Sequence, residues 1–208
     1  MQNRGYVLLS LEKRREQYNN FLTDSLLEYE RIHAPQMKEL LERQRQRYEE
    51  SLCKAFDLSE DFLRSSLSSQ RKGRLKYIHF SYLLSGALSE EHLIKLDFYD
   101  HRHYQDPEEI ECFWNCKGLF PWYEEEYRNL EGNLRKEIPR IKSGELSRLR
   151  VALTSWDYLM LKPILMELVK GETFLQRICP YCGSTAYILY GGYLDMPEVL
   201  WEMKEGSK

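Results

Sequence analysis

The sequence has no long uninterrupted hydrophobic run. Its most apolar stretch, residues 158–169, is broken by Lys162, Pro163 and Glu167. It therefore falls short of the roughly 20 apolar residues that a membrane-spanning helix needs. The N-terminal residues also hold no apolar segment long enough for a secretory signal, because charged residues follow from Glu12 onward. We expect a protein without a membrane segment and with a cytoplasmic location.

Charge of one sign is also lacking. The chain has 30 Lys and Arg residues against 33 Asp and Glu residues, a net charge of −3, which gives no overall attraction to nucleic acid or anionic lipid. Two local basic segments keep nucleic-acid binding as a disfavoured alternative. The first is Arg71-Lys72-Gly73-Arg74. The second contains Arg135, Lys136, Arg140, Lys142, Arg148 and Arg150 against Glu137 and Glu145.

Familiar catalytic motifs are absent from the sequence. It contains no glycine-rich phosphate loop, no Gly-x-Ser-x-Gly nucleophile elbow and no His-Glu-x-x-His zinc motif. The commonest hydrolase, nucleotide-binding and metalloprotease classes thereby lose support. A binding role is favoured over a catalytic one.

Helical periodicity dominates the first third of the chain. Apolar residues recur at spacings of three and four, and the intervening positions are densely charged. Because Pro35 interrupts the pattern, we predict two helices or one kinked helix, forming an N-terminal helical hairpin over residues 1–72. Such helices suit a protein partner or a homo-oligomer. The two apolar stripes are Leu11, Tyr18, Leu22, Leu26, Tyr29 and Ile32, then Met37, Leu40, Leu41, Tyr48, Leu52 and Phe56.

A two-residue period then indicates strands. Ile78, Phe80 and Tyr82 alternate with other residues, and so do residues 94–98, which predicts an antiparallel β-hairpin within residues 73–104. Asp106-Pro107 is typical of a helix start, and this helix is expected to end near Cys116. Further helices are predicted over residues 121–138 and from Ser143 to about Gly171, completing a helical segment over 105–172.

The C-terminal segment, residues 173–208, contains a cysteine pair, a short alternating stretch and a last helix that Asp195 would cap. The predicted fold class is therefore mainly α with a small antiparallel β-hairpin (α+β). The architecture is a helical hairpin or bundle with a C-terminal Cys knuckle, in a single α-rich domain over residues 1–208.

The cysteine pair occurs in Cys179-Pro180-Tyr181-Cys182-Gly183. A tight turn places two such sulfurs on one metal, and the motif resembles the knuckle of zinc ribbons and rubredoxin-like sites. A structural zinc has four ligands, so we predict that Cys112 and Cys116, which share a face at helical spacing, complete the site. His101 and His103 are the second choice. Zinc content unchanged by alanine at Cys179 and Cys182 would contradict this prediction.

Other interpretations of the same residues remain open. Cys179 and Cys182 also suit an unmetallated structural pair, or a redox dithiol, because Cys-Pro-Tyr-Cys looks like the active-site motif of glutaredoxins, although the fold context of that family is absent. His101 and His103 lie among carboxylates. Metal-dependent enzymes use this pattern, but it is also common at polar strand ends. The favoured function is a non-catalytic interaction or accessory protein with a structural zinc-type Cys site. Its partner surface would include the N-terminal helices and the aromatic connection at residues 113–123.

Overall fold

The computed structural model describes residues 11–193 and 195–204. Ten helices and strands of four or more residues follow one another along this part of the chain. In chain order they are α1 (Leu11–Ser68), β1 (Leu75–Tyr82), α2 (Gly86–Ser89), β2 (Leu93–Tyr99), β3 (Glu111–Asn115), α3 (Tyr123–Glu137), α4 (Ser143–Val169), α5 (Glu172–Ile178), β4 (Cys182–Gly192) and β5 (Glu198–Lys204). Within these described ranges, no helix is both long and apolar enough to cross a membrane.

The five strands form one mixed sheet in the order β3-β2-β1-β4-β5. The β1–β2 hairpin is antiparallel, as predicted, but β1 also pairs with β4 in parallel. The predicted fold class is therefore wrong in its β part, because the sheet is larger than a small hairpin and is not wholly antiparallel. Parallel neighbours need a long crossover, here the chain between β1 and β4, and no local pattern reveals such a pairing.

Helix α1 is a single kinked helix. It continues through Pro35, and the non-helical backbone lies at Gln44 instead. Before the kink α1 packs along α4, where the Tyr18 hydroxyl donates to the Glu145 carbonyl oxygen at 2.7 Å. Beyond the kink it packs on the sheet, where the ring of Phe56 lies 5.4 Å from that of Phe98. The first part of α1 therefore contacts α4 and the second part contacts the sheet. Of the two predicted alternatives the structure has the single kinked helix, but the kink lies at Gln44 and not at Pro35. The helical hairpin predicted over residues 1–72 is wrong, because α1 continues as one helix from Leu11 to Ser68.

Two other predicted helices are strands. The helix expected after Asp106-Pro107 is replaced by β3, in which Cys112 and Trp114 are buried while Phe113 and the other residues are exposed, a two-residue period. The helix expected after Asp195 is β5. The helices predicted over residues 121–138 and from Ser143 are confirmed as α3 and α4.

The two faces of the sheet differ in character. Helices α1, α4 and α5 pack on one face, where Phe80 contacts Phe174 of α5 and the Tyr190 hydroxyl donates to the Tyr158 carbonyl oxygen of α4 at 2.6 Å. We call the opposite surface the open face. Because side chains alternate along a strand, the residues between the core positions of β1 and β2 all point to this open face.

Candidate functional site: a polar pocket on the open face

Three cross-strand pairs of β1 and β2 occupy the open face. Their register places Tyr77 opposite Tyr99, His79 opposite Asp97 and Ser81 opposite Lys95. Directly opposite residues of antiparallel strands hold their Cβ atoms about 5 Å apart, so these side chains are neighbours. An imidazole, a hydroxyl, a carboxylate and an ammonium group thus lie together on a rigid part of the sheet.

A short turn covers this group. The 3₁₀ turn His103–Gln105 follows β2, and His103 adopts a left-handed backbone with a φ of 55°. The Tyr104 hydroxyl lies 3.3 Å from Nδ1 of His79, and the His103 ring contacts that of Tyr77 with centroids 4.5 Å apart. The turn therefore lies over the β1 residues of these pairs, and we call His103–Gln105 the roof.

The roof is anchored by a buried ion pair. The Lys72 ammonium donates to the carboxylate of Asp106, and both side chains have no exposed surface. Asp106 also accepts the backbone N–H groups of Asp100 and Glu108, each at 3.1 Å. Because these bonds close the chain around residues 100–108, they fix the position of Tyr104 over the sheet.

Strands and roof enclose a cavity of about 280 Å³. This volume lies just below the range of drug-sized ligand sites, roughly 300–1,000 Å³. The cavity is suited in size to a small ligand. Its lining residues are His79, Ser81, Lys95, Asp97, Tyr99, Tyr104, Asp106, Glu109 and Tyr193.

Two polar atoms of the lining are buried without a hydrogen-bond partner among the described residues. They are Nε2 of His79 and Oγ of Ser81. Each of these residues is only 1% exposed. A buried polar atom without a partner costs a fold about 1–3 kcal/mol, so such atoms are rare unless something else satisfies them. Their presence together in one pocket identifies it as the candidate site.

The electrostatics of the pocket centre on Lys95. Its ammonium lies 2.8 Å from Asp97 Oδ1, 2.6 Å from Glu111 Oε2 and 4.8 Å from the ring centroid of Tyr193. Burial opposes the charge of Lys95, but hydrogen bonds to the two carboxylates outweigh it and raise the pKa of Lys95. Burial also raises the pKa of Asp97 above its usual range, while hydrogen bonding to Lys95 acts in the opposite direction.

Burial, with smaller contributions from the nearby His103 and Lys95, lowers the pKa of His79 from 6.5 to about 4. The unfolded chain therefore binds a proton at this residue more readily than the folded chain between those two pH values. We expect His79 to make the protein less stable as the pH falls from about 6.5 to about 4, and to have no such effect above pH 7.

Urea unfolding at a series of pH values tests this expectation against the His79→Gln variant. The slope of unfolding free energy against pH should be smaller in the variant between pH 6.5 and 4, and unchanged between pH 7 and 8. Equal slopes for the two proteins across the acidic interval would show that His79 is not held neutral by the fold.

The predicted histidine pair is not brought together on one face. Residues 101–105 form a turn and not a strand, so the expected alternation does not apply. The side chain of His101 is 75% exposed and faces a groove beside Arg74, whereas His103 packs against Tyr77 and Tyr99 of the open face. Of the two histidines, only His103 is near the candidate site.

The four predicted zinc ligands lie in two separate places. Cys112 is in β3 and Cys116 follows it, both buried, and Cys116 Sγ donates to the His92 carbonyl oxygen at 3.3 Å. Cys179 is exposed, and Cys182 begins β4, which is separated from β3 by β2 and β1. Across residues 11–193 and 195–204, no three His, Cys, Asp or Glu side chains are grouped to hold a metal ion. Zinc at Cys179 and Cys182 stays a prediction, and it requires ligands from outside these residues.

The two basic segments are also separate. Arg74, whose guanidinium donates to the carbonyl oxygen of Pro180, lies beyond the C-terminal end of α1. The other segment contacts the opposite end of α1, where Arg14 donates to the carbonyl oxygens of Pro139 at 2.9 Å and Arg140 at 3.1 Å. They do not form one continuous basic surface, and nucleic-acid binding stays the disfavoured alternative.

Sequence reasoning missed the residues of the pocket. Their signal was present, because His79, Ser81, Lys95 and Asp97 all lie between the apolar positions that identify the two strands. Polar residues at such positions are typical of a solvated sheet face. The roof, together with Asp106, Glu109 and Tyr193, makes this part of the face a pocket. No family model, no curated protein and no solved structure matches the chain.

Proposed function

We propose that the protein binds a small polar molecule in the pocket between β1, β2 and the His103–Gln105 roof. The observation that carries this proposal is the pair of buried, unpartnered polar atoms, Nε2 of His79 and Oγ of Ser81. A ligand that bonds to both atoms would remove this cost. Natural proteins keep such destabilising groups where function requires them.

The rest of the pocket supports binding. The strands supply a rigid floor, and sites built on regular elements hold their groups more accurately than sites on loops. Three tyrosines, Tyr99, Tyr104 and Tyr193, supply flat walls with a hydroxyl at each tip. This role agrees with the sequence-based preference for binding over turnover. A partner protein on the N-terminal helices remains a separate prediction.

The first test compares two hydroxyl groups. Replacing Ser81 with alanine should leave the free energy of unfolding unchanged or raise it slightly, because no hydrogen bond is lost. The matched control is Thr154→Val. The fully buried Thr154 hydroxyl shares a 2.7 Å hydrogen bond with Tyr123, so this variant should lose about 1–2 kcal/mol. Urea unfolding measures both, and an equal loss for the two variants would show that Ser81 has a partner within the fold.

The second test is a thermal-shift screen of small polar compounds against the wild type and the His79→Leu/Ser81→Ala double variant. We expect at least one compound to raise the Tm of the wild type in a saturable manner and to have little effect on the double variant. Compounds that act equally on both proteins bind elsewhere. If every hit behaves in that way, the proposed function is wrong.

A further inference from the structure

We infer that the ligand of the pocket is a small amine, bound as an organic cation by the carboxylates and tyrosines around Lys95. This inference rests on the proposed function and adds the class of the ligand. Its first support is charge. Asp97 and Glu109 line the pocket and Glu111 lies 2.6 Å from the ammonium of Lys95, so three carboxylates in or beside the pocket outnumber the one cation there.

No other residue that lines the pocket balances this excess of negative charge. Asp106, the remaining lining carboxylate, is already neutralised by the buried ammonium of Lys72. His79 is neutral at pH 7, because burial lowers its pKa to about 4. Two carboxylates are therefore left unbalanced, and a ligand with one positive charge would be attracted where an anion would be repelled.

The aromatic walls add a second attraction. The ammonium of Lys95 already lies 4.8 Å from the centroid of the Tyr193 ring, within the range of a cation–π contact. The ring of Tyr104 lies beside that of His79, with centroids 6.3 Å apart. This part of the pocket thus already binds one ammonium group, that of Lys95, through two carboxylates and a tyrosine ring.

The third support is independent of charge. Ser81 Oγ offers lone pairs, and so does Nε2 of His79 in the tautomer whose Nδ1–H donates to the Tyr104 hydroxyl, 3.3 Å away. An ammonium group carries N–H donors and no acceptor, so it matches two buried atoms that lack donors. The cavity volume of about 280 Å³ is suited to a small molecule.

The experiment uses three probes of nearly equal shape and different charge: propylammonium chloride, sodium propionate and 1-propanol. Each is titrated into the full chain at pH 7.5, and ring signals of the tyrosines are followed by NMR, with Tyr104→Phe and Tyr193→Phe variants used to assign them. We expect saturable shifts of the Tyr104 and Tyr193 signals with propylammonium alone.

Two carboxylate variants identify the source of the attraction. Asp97→Asn and Glu109→Gln should each weaken propylammonium binding, by about tenfold for Asp97→Asn, since hydrogen bonds to charged groups contribute about 1.5–3 kcal/mol. Glu109 is exposed at the rim, so Glu109→Gln tests the attraction without altering a buried group. The control is Glu39→Gln, an exposed carboxylate on α1 that pairs with Arg43 and should leave binding unchanged.

The outcomes separate the two proposals. Saturable shifts at Tyr104 and Tyr193 with propionate or propanol, but not with propylammonium, would overturn the ligand class and leave the pocket as a binding site. Propylammonium binding that is equal in wild type, Asp97→Asn and Glu109→Gln would also overturn the ligand class. If none of the three probes shifts these signals, the ligand class fails, and the compound screen then decides the proposed function by itself.

Discussion

Replacing Asp157 with alanine is expected to lower the free energy of unfolding by about 3–5 kcal/mol. The carboxylate of Asp157 is fully buried in α4. One oxygen accepts a 2.6 Å hydrogen bond from the Tyr29 hydroxyl of α1, and the other lies 2.7 Å from Nε2 of His92. Alanine would remove the acceptor of the buried Tyr29 hydroxyl and the partner of the buried His92 Nε2, and it would open a cavity between them.

The surroundings make this loss difficult to relieve. The Tyr29 hydroxyl also accepts a 2.9 Å hydrogen bond from Trp122, and the His92 ring stacks on Phe120 at 4.5 Å between centroids. Burial raises the pKa of Asp157, while hydrogen bonding to His92 and Tyr29 opposes that rise. Movement of either partner toward water would break these contacts, so the network links α1, α4 and the start of β2 as one unit.

Urea unfolding of Asp157→Ala, Asp157→Asn and Asp61→Ala measures the effect. Asparagine keeps the size of the side chain and one acceptor, so it should lose less than alanine. Asp61 is exposed on α1, and its replacement should change stability by no more than about 0.5 kcal/mol. A loss below 1 kcal/mol for Asp157→Ala would show that the network does not hold α1 against α4.

The second large effect is expected for Lys72→Met, again about 3–5 kcal/mol. Lys72 and Asp106 are both fully buried, and the Lys72 ammonium also donates to the carbonyl oxygen of Glu108 at 2.7 Å. Methionine fills a similar volume but leaves the charge of Asp106 with only backbone donors and Arg102, whose Nη2 lies 3.3 Å away. The cost is a buried charge that Arg102 and the backbone donors compensate only in part, and not the lost packing.

A double variant separates these two causes. If the uncompensated charge dominates, Lys72→Met/Asp106→Leu should be more stable than the sum of the two single losses predicts. Additive losses would contradict this explanation. Because the ion pair anchors the His103–Gln105 roof, Lys72→Met should also reduce the thermal shift produced by any ligand of the pocket, whereas Asp61→Ala should not.

Much of the secondary structure was predictable because its causes are local. The alternation of Ile78 and Phe80 identifies β1, and the apolar spacing from Leu146 to Leu168 identifies α4. Each pattern requires only that one face of the element be buried, whatever covers that face. Capping signals were less dependable. Asp106-Pro107 has the composition of a helix start, yet Asp106 forms an ion pair with Lys72, and β3 follows.

The candidate site was not predictable in this way. A polar residue such as His79 or Ser81 between two apolar strand positions is equally suited to solvent and to a pocket. The same limit applies to the cysteines. The spacing within each pair led to the prediction that Cys112 and Cys116 share a metal with Cys179 and Cys182, but two strands lie between Cys112 and Cys182 in the sheet.

The sequence by itself determined where most helices and strands lie and which of their faces are apolar, because those properties follow from the period of neighbouring residues. The tertiary structure alone decided that β4 joins β1 in parallel, that α1 bends at Gln44, and that the roof turn contacts His79. Each of these outcomes depends on contacts between residues far apart in the chain. The free energy that stabilises these arrangements comes from burial and pairing between distant residues, which a local sequence pattern does not reveal.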